Sequence, residues 1–227
     1  MALISPGVES IESNLTNTIN NASTGRAALV GQFSWGSNDT ITKITNESEL
    51  VAIYGEPTDL NFMSFFSAAN FLSYGNDLRV LRATISDATK ATYGLGTDLQ
   101  AKYVGEYGNR LSLEIFASEA ALSSFSKYYP YALQAGEVLI IVRLDGNVVE
   151  THFGSTTSGT LDIYNNSLYI VDVLERSSNY IEDTDTGESS IASSVDTFMS
   201  GGDDGETGME ASYISGWDAF QDRYEIY

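Results

Sequence analysis

The chain has 227 residues, 42% of them apolar, with 20 Gly, 3 Pro and no Cys. It is long enough to bury one large core or two small ones, and it cannot build disulfides, thiolate metal sites or Cys nucleophiles. Its formal charge of −20 repels nucleic-acid phosphates and anionic lipid, which are bound through Lys and Arg, so neither is an expected partner.

Residues 1–24 are rich in Asn, Ser and Thr with isolated apolar positions. Such a stretch builds no core of its own and reads as an arm that orders on a partner. Its start, Met1 to Gly7, has neither the basic nor the apolar region of a signal peptide, and no apolar run reaches membrane-spanning length. Residues 26–35 read as a buried strand. Residues 46–54 read as a short helix with Asn46 at the N-cap and Gly55 just past its end. Residues 60–74 carry the clearest helical spacing, through Phe62, Phe65, Phe66, Ala69 and Leu72, with Gly75 as the cap. Asp77 to Ile85 reads as a strand, so the segment is strand–helix–helix–strand, an α/β arrangement.

The composition turns small and polar over 86–102, a plausible boundary. Gly105 to Asn109 reads as a turn, and Arg110 to Phe116 alternates as a half-exposed strand through Leu111, Leu113 and Ile115. Glu137 to Leu144 and Val148 to Phe153 flank Asp145-Gly146-Asn147, a strong hairpin signal. Residues 166–176 read as a helix with Leu168, Val171 and Leu174 on one face. Residues 182–190 and 201–208 read as acidic loops. Residues 209–222 read as a last amphipathic helix through Met209, Tyr213, Trp217 and Phe220, opened by Thr207 and Glu210 at capping-box spacing. Tyr224 to Tyr227 looks like the opening of another strand, so the chain is expected to be cut there.

Residues that carry chemistry are scarce. His152 is the sole histidine and reads as a sheet residue, since no second ligand or nucleophile is spaced to it. Asp183, Asp185 and Gly187 imitate half a calcium loop, but Glu188 and Ser194 stand where Gly and Glu are required. A solvated acidic loop explains them better. Gly201-Gly202-Asp203-Asp204-Gly205 is not followed by Lys-Ser/Thr, and its acids would repel phosphate. No acid–base pair or metal constellation is visible, so the chain is read as neither an enzyme nor a cofactor protein.

The order of features resembles the tail sheath proteins of contractile-tailed bacteriophages, especially the T-even-like ones. The matching segments are Leu3-Ile4-Ser5-Pro6-Gly7-Val8-Glu9; Ser23 to Gly36, with Gly25, Ala27, Ala28, Leu29, Gly31, Phe33 and Trp35; Tyr54-Gly55-Glu56-Pro57-Thr58; Asn70 to Ala83, with Gly75, Asn76, Arg79 and Arg82; and Gly201-Gly202 with Gly205, then Trp217-Asp218. The likeness is dense over 1–83 and 198–223.

This resemblance implies a mixed α/β (α+β) fold. Residues 1–24 would be an extended N-terminal arm, and 25–85 the first part of a conserved tube-proximal sheath domain. Residues 86–199 would form a β-rich, outward-facing insertion, and 200–227 a return into the conserved domain, which stays incomplete because family members continue past Tyr227. It implies a structural subunit in stacked hexameric rings, contracting by rigid-body rearrangement to drive a tube through the host envelope. The partners would be its own copies, the tail tube protein, and the baseplate and tail terminator proteins, in a virion tail assembled in the host cytoplasm. A shortened accessory or capping module is the other reading. In the family, arms add strands to a neighbour's sheet. Here Pro6, Gly7, Val8, Ile11 and Leu15 are the candidate arm contacts.

Overall fold

A computed structural model describes residues 25–94, 98–117, 125–129, 132–184, 191–205, 213–214 and 216–218. The arm, the acidic stretch 185–190, most of the expected last helix and the expected final strand lie outside the described residues.

The first layer is a three-stranded sheet in the order β1-β3-β2. Strand β1 (Arg26–Gly31) runs parallel to β3 (Asp77–Arg82), and β2 (Thr42–Ile44) pairs antiparallel to β3. A parallel neighbour requires a crossover, supplied by α1 (Glu47–Tyr54) and α2 (Phe62–Leu72). The Asn46 side chain accepts from the Glu49 N–H at 2.9 Å, while the Glu49 carboxylate reaches back to the Thr45 N–H at 2.8 Å. These bonds satisfy donors that a helix start leaves open. Gly55, at φ +82°, ends α1.

Three expectations are corrected here. The first strand stops at Gly31, because residues 33–35 leave the sheet to enter two different cores. Gly75 is not the cap of α2; Ser73 is. Gly75 is small because a Cβ there would lie 2.6 Å from the Phe71 ring. Of the apolar residues read as one helix face, Phe65 is buried, but Phe62 and Phe66 are 51% and 53% exposed.

The second layer is a four-stranded antiparallel sheet in the order β7-β6-β5-β9. It comprises β5 (Leu111–Phe116), β6 (Glu137–Leu144), β7 (Asn147–Ser155) and β9 (Ser194–Phe198). The β6–β7 turn has Asp145 at φ 50° and Gly146 at φ 82°, the left-handed pair that an Asp-Gly hairpin supplies. Beside this sheet, β4 (Leu99–Ala101) pairs with β8 (Ile181–Asp183). A short helix α3 (Phe125–Tyr128) precedes β6, and a 3-10 turn (Glu106–Arg110) leads into β5.

Strand β5 is not half-exposed: all six residues are buried. It lies between β6 and β9 with both faces covered. Leu111, Leu113 and Ile115 face the largest core, and Phe116 faces a smaller one with Leu139 and Ile141. Glu114 is accommodated by ion pairing with Arg143, which also donates to the Tyr128 hydroxyl. Helix α4 (Ile170–Ser177) starts later than expected and buries Ile170, Val173 and Leu174. Leu168 is held extended instead, its carbonyl accepting from the Ser155 N–H at 2.6 Å. Asp183 is buried in β8 and not in a solvated loop.

Candidate functional site

Nothing in the described residues gathers reactive groups. No cluster of three His or carboxylate ligands within metal reach occurs among them, and no helix among them is long and apolar enough to cross a membrane. His152 sits in β7, with Nε2 2.9 Å from Glu150 Oε2 and Nδ1 3.2 Å from Ser177 Oγ. The most specific arrangement is instead the seam where the two layers meet.

The seam begins with alternation. Residues two apart on an extended segment share a side, but the chain turns at Ser34, and Phe33 and Trp35 part company. Phe33 packs 4.7 Å from the Tyr54 ring in the first core. Trp35, 2% exposed, enters the core of the second sheet. Its indole lies 5.1 Å from both Tyr103 and Tyr107 and 6.1 Å from Tyr180, and its N–H donates to the Asn179 carbonyl at 3.3 Å. Buried aromatics contribute both area and ring-pair energy.

Arg82, the last residue of β3, is the second tie. Its guanidinium donates to the carbonyls of Phe33 (2.8 Å), Gly36 (3.2 Å), Ser34 (3.3 Å) and Val104 (2.9 Å), with Asp204 at 3.9 Å. Burial pushes this guanidinium down to about 10, and Asp204 opposes the fall. It stays charged at neutral pH, held by acceptors in place of water.

The third tie is residues 200–205. Thr89 bridges Asp203, and Thr92 bridges Ser200. The Gly202 N–H donates to Asn109 Oδ1 while Asn109 Nδ2 donates to the Gly202 carbonyl, both at 2.8 Å. A Cβ on Gly202 would stand 2.5 Å from the Gly105 carbonyl, and one on Gly105 (φ +120°) 2.4 Å from Asp204 Oδ1.

Glu150 of β7 holds the loop after α4. Its carboxylate accepts from the Ser178 hydroxyl at 2.7 Å, the Asn179 N–H at 2.9 Å and His152. Burial raises its pKa, but these donors together outweigh burial and hold it below the ordinary carboxylate range. Clefts open beside the seam. One of about 420 Å³ is lined by Asp39, Thr42, Lys90, Lys102 and Glu182, with Lys90 and Glu182 paired at 2.6 Å. Two others, of about 390 and 340 Å³, share Trp35, Ala52, Val149 and Tyr180.

The residues singled out in the sequence fall in different places. Trp35, Gly55, Arg82, Gly202 and Gly205 lie at the seam; Gly55 approaches Ser34 and Tyr107, and Gly205 approaches Asp87 and Ile85. Gly25 precedes β1, Pro57 and Asn76 are exposed, and Gly201 is exposed with φ +84°. Arg79 pairs with Asp77 at 3.0 Å. Trp217 is 46% exposed. Pro6, Gly7, Val8, Ile11 and Leu15 lie outside the described residues. Asn109, Glu150 and the three tyrosines around Trp35 were not singled out. Asn109 alone had a local signal, its place in a Gly-bracketed turn.

Residues 24–83, which carry β1 through β3 and the crossover helices, match the family model of the tail sheath protein Gp18 domain III N-terminal region. Over part of its length the chain is similar to phage tail sheath proteins. It is 55% identical over 91 residues to the tail sheath protein of Vibrio phage KVP40, and 41% identical over 123 residues to that of Enterobacteria phage T4. Those stretches cover 40% and 47% of this chain, and 13% and 19% of the two sheath proteins. The chain therefore matches under a fifth of either phage protein. Two solved sheath tail proteins share the fold, each with a TM-score of 0.57. That from Listeria innocua is 21% identical, with 86% of this chain and 38% of that one covered; that from Desulfitobacterium hafniense is 16% identical, with 100% and 44% covered. The family model covers residues 24–83, and the two solved structures share the mixed α/β fold.

Proposed function

We infer that this chain is a structural subunit of a contractile tail sheath. It polymerises with its own copies as stacked hexameric rings around a tail tube and contracts by rigid-body rearrangement. The observation that carries this reading is the sheath domain over 24–83 joined to a second layer through buried ties. A subunit that transmits force as a rigid body needs its layers to move together, and Trp35, Arg82 and the Gly202–Asn109 pair supply that coupling. In this reading residues 25–85 and 200–227 belong to one tube-proximal domain and 86–199 form the outward insertion. The tail tube, baseplate and terminator proteins are the other partners, and assembly takes place in the host cytoplasm before the subunit enters the virion tail.

Residues 1–24 act as the linking arm, with Pro6 and Gly7 setting its turn and Val8, Ile11 and Leu15 seated on a neighbour by strand addition. The test is removal of residues 1–20 from the protein as expressed for assembly. Tubular polymers visible by electron microscopy with the intact arm are expected to disappear. Unchanged tubes would contradict the arm's role. An accessory or capping module is the second reading, and it would leave the chain at one end of the tail.

A further inference from the structure

We propose that Asp145, and not Asp204, is a site of spontaneous conversion to isoaspartate, and that the Arg110 guanidinium holds the rate down. The chain has two Asp-Gly steps, Asp145-Gly146 and Asp204-Gly205, so local sequence ranks the two alike. In each, the glycine nitrogen can attack the aspartate Cγ because no side chain shields it. A C–N bond forms, a C–O bond breaks and water leaves, which closes a succinimide ring. Water then reopens the ring at either carbonyl. Opening at the former main-chain carbonyl leaves the chain running through the side-chain carbons, with the atoms balanced and no oxidant or reductant consumed.

The surroundings separate the two steps. Asp145 and Gly146 are exposed at the tip of the β6–β7 turn, and no atom would lie within 4 Å of a Cβ on Gly146, so that peptide has room to rotate into the attacking geometry. Gly205 has none: its N–H donates to Asp203 Oδ1 at 2.6 Å, and a Cβ there would stand 2.4 Å from Asp87 Oδ1. Asp204 is tied as well, accepting from the Glu106 N–H at 3.2 Å beside the Arg82 guanidinium. Attack at Asp204 would first have to undo the third tie of the seam.

What slows Asp145 is its charge. The leaving oxygen departs as water only from a protonated carboxyl, and Arg110 favours the ionised one. Its Nε donates to Asp145 Oδ1 at 3.0 Å and its Nη2 to Oδ2, which holds the carboxyl below the ordinary carboxylate range. The guanidinium is set in place over the Tyr107 ring, 4.8 Å away. The conversion has a structural consequence because it adds one carbon to the backbone of a two-residue turn, and turn length sets the register of a hairpin. Strand β7 carries Glu150, so a slipped register would release the loop after α4.

The test is incubation of the full 227-residue chain at about pH 6, above the carboxylate range. Isoaspartate is read at each site by peptide mapping and by methyl transfer from a protein-isoaspartate methyltransferase. The chain unfolded in urea is the reference, in which both sites are expected to convert at similar rates. In the folded chain Asp145 is expected to convert while Asp204 stays unchanged. Arg110→Gln should raise the Asp145 rate about threefold, a modest factor because the ion pair is half exposed, and should leave Asp204 protected. About 1 M salt, which screens exposed pairs, should speed Asp145 in the wild type, so the role of Arg110 stays testable if the variant unfolds. Equal conversion at the two sites of the folded chain, faster conversion at Asp204, or none at Asp145 while the unfolded chain converts would overturn the site assignment. An Asp145 rate moved by neither the substitution nor salt would overturn the role of Arg110.

Discussion

Arg82 shows how much a single side chain holds together. With 3% of its side chain exposed, it would be costly to bury without partners, yet it donates to four carbonyls drawn from the 33–36 turn and Val104. Removing it leaves those acceptors and Asp204 without their cation. Arg82→Leu is expected to lower unfolding free energy by about 3 kcal/mol, in the range for breaking a buried charge pair. Arg82→Lys should recover less than half of that loss, because a point charge cannot fork toward several carbonyls. Urea denaturation measures both, and a Lys variant as stable as the wild type would contradict the forked geometry. Little of this was legible locally. A basic residue ending a strand ordinarily reads as exposed, and Asp204 comes from a distant part of the chain. Arg82 and Trp35 stood out only through the family resemblance, which marks positions without saying what they touch.

At the scale of elements, the loop between α4 and β8 hangs on Glu150. The lowered pKa of that carboxyl has a definite sign. A carboxylate stabilised in the folded state contributes fully above its unfolded value, near 4.5, and its contribution fades as pH falls through the lower folded value. Glu150→Gln is expected to cost about 2 kcal/mol at pH 7, since hydrogen bonds to charged groups are lost. Its stability should also fall less steeply on acidification than that of the wild type. Denaturation series between about pH 3 and pH 7, spanning the carboxylate range, make the comparison, and parallel slopes would refute the assignment.

Elements with strong local chemistry could be read directly: the Asp145-Gly146 hairpin, the Asn46 cap of α1 and the helical spacing of α2. Strands β2, β4, β8 and β9 could not, because each is short and gains its stability from pairing across long sequence separations. Strand β5 was read as half-exposed because Ser112 and Glu114 interrupt its apolar residues. The alternation is real, but a central strand covered on both faces buries its polar positions too, and Arg143 makes that tolerable for Glu114.

For the whole molecule, the seam joins two sheets of different topology. Trp35 leaves the first sheet to fill the core of the second, and residues 200–205 return to lace onto Thr89, Thr92 and Asn109. Sequence reading identified the sheath kinship and the α/β segment 25–85. It missed the seam because its tyrosines and Asn109 converge only in three dimensions. The sheath-subunit reading is tested most directly by immunogold labelling of phage particles that carry this sequence, using antibodies raised against the folded chain. Label repeating along the tail is predicted; label confined to one end, or absent from the tail, would contradict it.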